Sequence, residues 1–179
     1  MRRILTQNGI DNTNVDGGRF HNFAAGGRSG VVKGTYNECD FFTSSANSIT
    51  VDSGELLLCG HRIVDNEQVT IEVSNAPATP QQYSLIAEIV ISEGGEVAFE
   101  YRVQLPQSLV QENLYKTDTG KYQLEIGTFV ISSGGGVTDV TKTAPLLNLD
   151  LSKFASVEYV DGLVGNINDL WSDLLDGGF

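Results

Sequence analysis

Apolar and polar residues alternate through the middle of the chain, and glycine-rich turns punctuate the alternation. Gln68-Val69-Thr70-Ile71-Glu72-Val73 is a clean period-two run, the pattern of a strand with one buried face. Ser48-Ile49-Thr50-Val51 alternates likewise and meets a turn at Asp52-Ser53-Gly54. Glu55 to Cys59 is a short apolar run, and Gly60-His61-Arg62 leads on to Ile63-Val64. Ala76-Pro77-Ala78-Thr79-Pro80 is a loop, because proline removes ladder donors. The sharpest hairpin joins 83–91 to 96–103 through Ser92-Glu93-Gly94-Gly95. A polar excursion over 107–121 precedes a strand at 122–131, a turn at Ser132-Ser133-Gly134-Gly135-Gly136, and a short return strand at 137–140. Short strands with no helical repeat between them predict a mainly β chain, an antiparallel β-sandwich or open barrel.

The two ends depart from this pattern. Residues 1–35 are rich in Gly, Asn and Asp, with turn signals at Asn8-Gly9, Asp16-Gly17-Gly18 and Gly26-Gly27. They read as an extended arm rather than a packed module, with the β-domain over 36–145 and a connector over 146–153. From residue 154 the period changes. Val157, Val160, Val164, Ile167, Trp171 and Leu174 are spaced by 3, 4, 3, 4 and 3 residues, the a and d positions of a heptad seam. Leu163, Leu170 and Leu175 widen the stripe, and the positions between are mostly polar or small. A helix over 154–175 would be about 33 Å long. The first four seam residues are β-branched at both a and d, which in parallel coiled coils favours three or more strands over two. A short amphipathic helix packed on its own domain would show the same stripe, and Gly162 and Gly165 lie within it. The segment 154–179 is therefore read as a C-terminal oligomerisation helix, coiled-coil-like, with intramolecular packing as the alternative.

Composition narrows the partners. The 179 residues suffice for one domain with an appended element. Eleven basic against 23 acidic residues give a formal charge of −12, so no basic footprint for nucleic acid is present, and an anionic membrane surface is disfavoured. No apolar stretch is long enough for a membrane span, so no membrane insertion is expected. The start, Met1-Arg2-Arg3-Ile4-Leu5-Thr6-Gln7, lacks the apolar core of a signal peptide, and folding in a cytoplasm is expected. Cys39 and Cys59 are then read as buried or half-buried thiols rather than a disulfide.

Candidate chemistry is sparse. His21 and His61 are the two histidines, and no activated nucleophile or orienting pattern accompanies either. Gly134-Gly135-Gly136 runs into a strand and lacks the Lys-Ser/Thr of a phosphate loop. Asp11, Asn12, Asn14 and Asp16 lack the central glycine and closing glutamate of a calcium loop. No catalytic residue, cofactor or metal site is assigned, and the chain is read as no enzyme. A small glycan-active enzyme would need a convergent carboxylate pair, which 23 scattered acidic residues do not single out. Tyr36, Phe41, Phe42, Tyr83, Tyr101, Tyr115 and Tyr122 offer aromatic faces for a sugar, although aromatics on strands are more often core.

Asp16-Gly17-Gly18-Arg19-Phe20-His21-Asn22-Phe23 resembles an Asp-Gly-Arg-aromatic-Asn stretch, here with an extra glycine. Leu56 to Val64 resembles a strand–Gly-x-Arg–strand unit. Tyr122-Gln123-Leu124 and Val137-Thr138-Asp139-Val140 follow in order, with Thr141-Lys142 where an arginine often stands. Together, over roughly residues 9–145, these resemble the N-terminal β-modules of baseplate and tail-fibre proteins from tailed phages of Gram-positive bacteria. The resemblance implies a virion structural protein, a homotrimeric adaptor joining the host-adhesion apparatus to other virion proteins, assembled in the host bacterial cytoplasm. It makes the arm, with Asp16, Gly17, Gly18, Arg19 and Phe20, the docking element. A head or neck fibre, or a carbohydrate-binding module for host-surface glycan, are the alternatives.

Overall fold

A computed structural model of the chain describes residues 3–4, 18, 21–22, 24–73, 76–117 and 119–148. The chain divides into two units, Met1–Asn148 and Leu149–Phe179. The predicted C-terminal helix, with its seam residues Val157, Val160, Val164, Ile167, Trp171 and Leu174, lies outside the described residues, as do Asp16, Gly17, Arg19 and Phe20 of the arm.

The first unit is mainly β. Its strands are β1 (Arg3–Ile4), β2 (Gly30–Val32), β3 (Phe41–Ser45), β4 (Ser48–Val51), β5 (Gly54–Leu58), β6 (His61–Asp65), β7 (Val69–Glu72), β8 (Gln81–Ile91), β9 (Val97–Gln104), β10 (Gly120–Ile131), β11 (Val137–Lys142) and β12 (Leu146–Leu147). They form three sheets, none closed into a barrel: β1-β6-β5-β2-β12, β11-β10-β8-β9, and β3-β4-β7. One helical turn, α1 (Leu114–Thr117), interrupts the polar excursion before β10 and buries Leu114.

A single apolar core draws on all three sheets: Leu56, Leu58 and Ile63 from the first, Leu85, Ile89, Ile126 and Phe129 from the second, Phe41, Ile49 and Val51 from the third. The long hairpin β8–β9 pairs Ile91 with Val97 and turns through Ser92 to Gly95, whose amide donates to the Ser92 carbonyl at 2.9 Å. The sheet β11-β10-β8-β9 carries a bulge between Glu125 and Gly127, which lets β10 bend around the core. Gly127 sits where a Cβ would collide with the Phe41 ring and the Thr141 carbonyl, so the Phe41 side chain of the third sheet packs directly on the β10 backbone there.

Three features differ from the sequence reading. The β-body begins before residue 36, because Gly30–Val32 is a fully buried strand between β5 and β12. The connector begins with a strand, since Leu146 and Leu147 pair with Val31 and Val32. That pairing is parallel, so the first sheet is not purely antiparallel. The physical reason is common to all three. Val31, Val32 and Leu147 are apolar residues in runs too short to show a period, and burial with pairing to distant strands, β2 on β5 and β12 on β2, makes them strand. Strand β3 was likewise invisible, with only Phe41 of its residues buried.

Candidate functional site

The hairpin β5–β6 turns in two residues, Cys59 and Gly60, with Leu58 paired to His61. Both turn residues have positive φ, 48° and 86°, the backbone of a type I′ turn. Asn-Gly is the usual choice there, and Cys59 holds the first position at some conformational cost. The turn is gripped from outside. The Ser29 hydroxyl accepts the Cys59 amide at 2.9 Å, and the Cys59 thiol donates to the Glu112 carbonyl at 3.5 Å.

Gly18 and His21 lie on this turn. A Cβ on Gly60 would collide with the Gly18 carbonyl oxygen, and one on Gly18 would stand 3.5 Å from His61 Nε2. His21 Nδ1 donates to the Gly60 carbonyl at 3.2 Å, which assigns that nitrogen the proton. The Ala25 amide then donates to the His21 carbonyl at 3.0 Å and the Gly27 amide to the Asn22 carbonyl at 2.8 Å. Of the predicted docking residues, Gly18 is therefore packed on its own chain and buried. The two histidines, 40 residues apart, share one surface of the turn. His61 is buried, its Nε2 lacks a hydrogen-bond partner, and burial, followed by the charge of His21, holds its pKa below the ordinary value.

Beside the turn opens a cleft of about 160 Å³. Asn22 and Ser29 form one side, Cys59 the middle, and Gln111, Glu112 and Asn113 the other, with Tyr122 between strand and loop. The loop wall is held in place from both sides of Glu112. Its amide donates to the Lys121 carbonyl at 3.1 Å, and its Oε2 accepts the Lys121 amide at 2.6 Å. Asn113 Oδ1 is buried without a hydrogen-bond partner.

Two other polar clusters are internally satisfied. Tyr101 donates to Asp65 Oδ2 at 2.8 Å within the core, beside Cys39. Burial pushes the Cys39 thiol up to about 12, so it stays protonated. Burial, then the neighbouring Cys39 and Asp65, pushes the Tyr101 phenol well above its ordinary range. On the opposite face of β8, Glu88 receives Arg102 Nη1 at 2.9 Å and Gln123 Nε2 at 2.5 Å, with Lys121 Nζ at 3.4 Å. Burial raises the Glu88 pKa, but these hydrogen bonds and charges outweigh it and hold the carboxyl below its ordinary value. Neither arrangement carries a nucleophile activated by a base. Among the described residues no group of three or more His, Cys, Asp or Glu could hold a metal ion.

The predicted aromatic faces divide. Tyr36 and Phe42 are exposed, Phe41 and Tyr101 are core, and Tyr83 stacks on Phe129 with centroids 6.1 Å apart. Among those whose side chains are described, Tyr122 lines the cleft, and the Tyr115 side chain lies outside the described residues. No protein-family model matches the chain, and no match was found among curated proteins or solved structures.

Proposed function

We propose that the chain is a virion structural protein, a homotrimeric adaptor in the host-adhesion apparatus of a tailed phage, bound to other virion proteins. In this reading the β-body is a rigid sandwich-like block, the N-terminal arm docks on a neighbour, and the C-terminal helices pack as a coiled coil about a three-fold axis.

What supports it is the meeting of two of the segments that carry the resemblance. The Asp16–Phe23 stretch touches the Gly60-His61 turn through Gly18 and His21, across about forty residues of chain. The Gly-x-Arg turn thus serves as the seat of the N-terminal segment rather than as a site for chemistry. A seat of this kind fixes where an arm leaves the body, which an adaptor needs and an isolated β-domain does not. The net charge of −12 is compatible with assembly on a less acidic protein surface and unfavourable for binding nucleic acid.

Light scattering of the purified full chain across a range of concentrations tests the reading. A mass three times that of the 19.3 kDa chain, independent of dilution, is the expected result. A monomer persisting at high concentration overturns the trimeric adaptor.

A further inference from the structure

We infer that the contact of Gly18 and His21 with the Cys59–Gly60 turn is an acid-operated latch: protonation of His61 lifts these two residues off the turn while the β-body stays folded. The contact lies within one chain and does not depend on the assembly reading.

A Cβ on Gly18 would stand 3.5 Å from His61 Nε2, 3.6 Å from Cε1 and 4.0 Å from Cδ2, so the Nε2 end of the ring points at the Gly18 backbone. The Gly18 carbonyl does not serve that nitrogen, because it packs on Gly60 instead. His61 is only 5% exposed, and its buried Nε2 has no hydrogen-bond partner. A neutral imidazole tolerates this at the cost of one unpaired ring nitrogen. An imidazolium would hold a charged N–H against a backbone methylene, with neither water nor an acceptor, which is far more costly. Lifting Gly18 returns water to that nitrogen.

The groups around the ring do not offset that cost. His21 acts on His61 as a like charge. In the turn, the Cys59 thiol donates to the Glu112 carbonyl. On β5, Leu58 stands opposite His61 and carries no charge. On β6 itself, Arg62 alternates to the other face of the sheet, where it pairs with Glu55 at 2.7 Å. Asp65 accepts the Tyr101 hydroxyl inside the core. Among the described residues, then, no carboxylate compensates a charge on His61, and burial followed by His21 holds its pKa below the ordinary value.

The contact is weaker than the body beneath it. His21 Nδ1 meets the Gly60 carbonyl in a long hydrogen bond of 3.2 Å, whereas β5 and β6 are joined by five ladder pairs and bury Leu56, Leu58 and Ile63 in the core. Local opening at the turn therefore relieves His61 at lower cost than unfolding. Seating is strongest with His61 neutral, above about 6.5, and is lost as pH falls through the seated value. Each unit by which the contact lowers that value is a tenfold change in the ratio of seated to open chains.

NMR of the full chain from pH 8 to pH 4, following backbone amides and histidine ring nitrogens together, tests the latch. The His61 ring is expected to protonate below about 6.5, with the Gly18, His21 and Gly60 amides shifting at the same pH. The Leu85, Ile126 and Phe129 amides, in the core, should hold their positions. His61→Gln should abolish the transition. His21→Gln should keep it and raise its midpoint, because a like charge and a hydrogen bond to the turn are both removed. Asp16 lies close to Gly18 in sequence and outside the described residues, so Asp16→Asn is the control and should leave the midpoint in place. Turn amides unmoved as His61 protonates, a ring still neutral at pH 4, turn and core amides shifting together, a transition surviving in His61→Gln, a midpoint lowered in His21→Gln, or a transition lost in Asp16→Asn would each overturn it.

Discussion

Gly60 has no side chain where the carbonyl oxygen of Gly18 occupies the space a Cβ would fill, and its φ of 86° is one that L side chains rarely adopt. Both constraints fall on one residue, so Gly60→Ala is expected to cost about 2–3 kcal/mol. Gly94→Ala is the control, since its Cβ would meet only Ser92 Oγ, at 3.8 Å. That change should stay within about 0.5 kcal/mol. Urea unfolding of the two variants separates the cases; equal losses would show that the Gly18–Gly60 contact contributes nothing.

Tyr101→Phe removes the hydroxyl that Asp65 Oδ2 accepts inside the core. A buried carboxylate that loses a donor costs about 1–3 kcal/mol. The unfolding midpoint should fall with little change in slope, since the ring itself remains packed. A midpoint equal to that of the parent would place the stabilisation of Asp65 on its other neighbours.

Cys39 should resist alkylation in the folded protein. Burial pushes its pKa to about 12, so at pH 8 almost none is thiolate, and reaction must wait for opening. Iodoacetamide labelling followed by peptide mass analysis should show Cys39 modified only at the rate of unfolding, accelerating with urea. Rapid modification in the native state would contradict this.

Stability should fall as the solution is acidified through the histidine range. The His61 pKa is depressed in the folded protein, chiefly by burial and then by the charge of His21. The unfolded chain therefore binds the more protons between the folded value and about 6.5. The stabilisation is present above about 6.5 and is lost as pH falls through the folded value. Glu88, also depressed, adds a second loss below its ordinary value of about 4.5. His61→Gln should flatten the first decline and leave the second in place. Melting temperatures taken from pH 8 to about pH 2 would reveal an unchanged first decline if His61 is not responsible.

Val164→Asp or Ile167→Asp should lower the oligomeric state under the proposed trimer, because each places a carboxylate on the heptad seam. Light scattering of either variant as a stable trimer would remove the seam from the interface.

Periodicity made the long strands legible. The hairpin of β8 and β9, the turn at 132–136 and the strand at 122–131 all announce themselves by alternation broken at glycine. β2, β3 and β12 did not, being three, five and two residues long or polar outside one buried position. The cleft was less legible still. Asn22, Ser29, Cys59, Asn113 and Tyr122 are spread over a hundred residues, and no spacing rule links them. Gly60-His61-Arg62 could be read as a bend, but not as a seat for Gly18.

Taken by itself, the sequence determined what local forces control: β-rich character, the positions of the glycine turns, the acidic surface charge and the heptad spacing after residue 154. Those properties depend on side-chain period, backbone freedom and charge within a few neighbouring residues. Tertiary structure alone decided that the strands split into three sheets around one core, that residues 30–32 and 146–147 join the first of them, and that Gly18 and His21 rest on Gly60. Each of these is a contact between distant segments, stabilised by buried apolar area and close backbone approach, which composition and period do not encode.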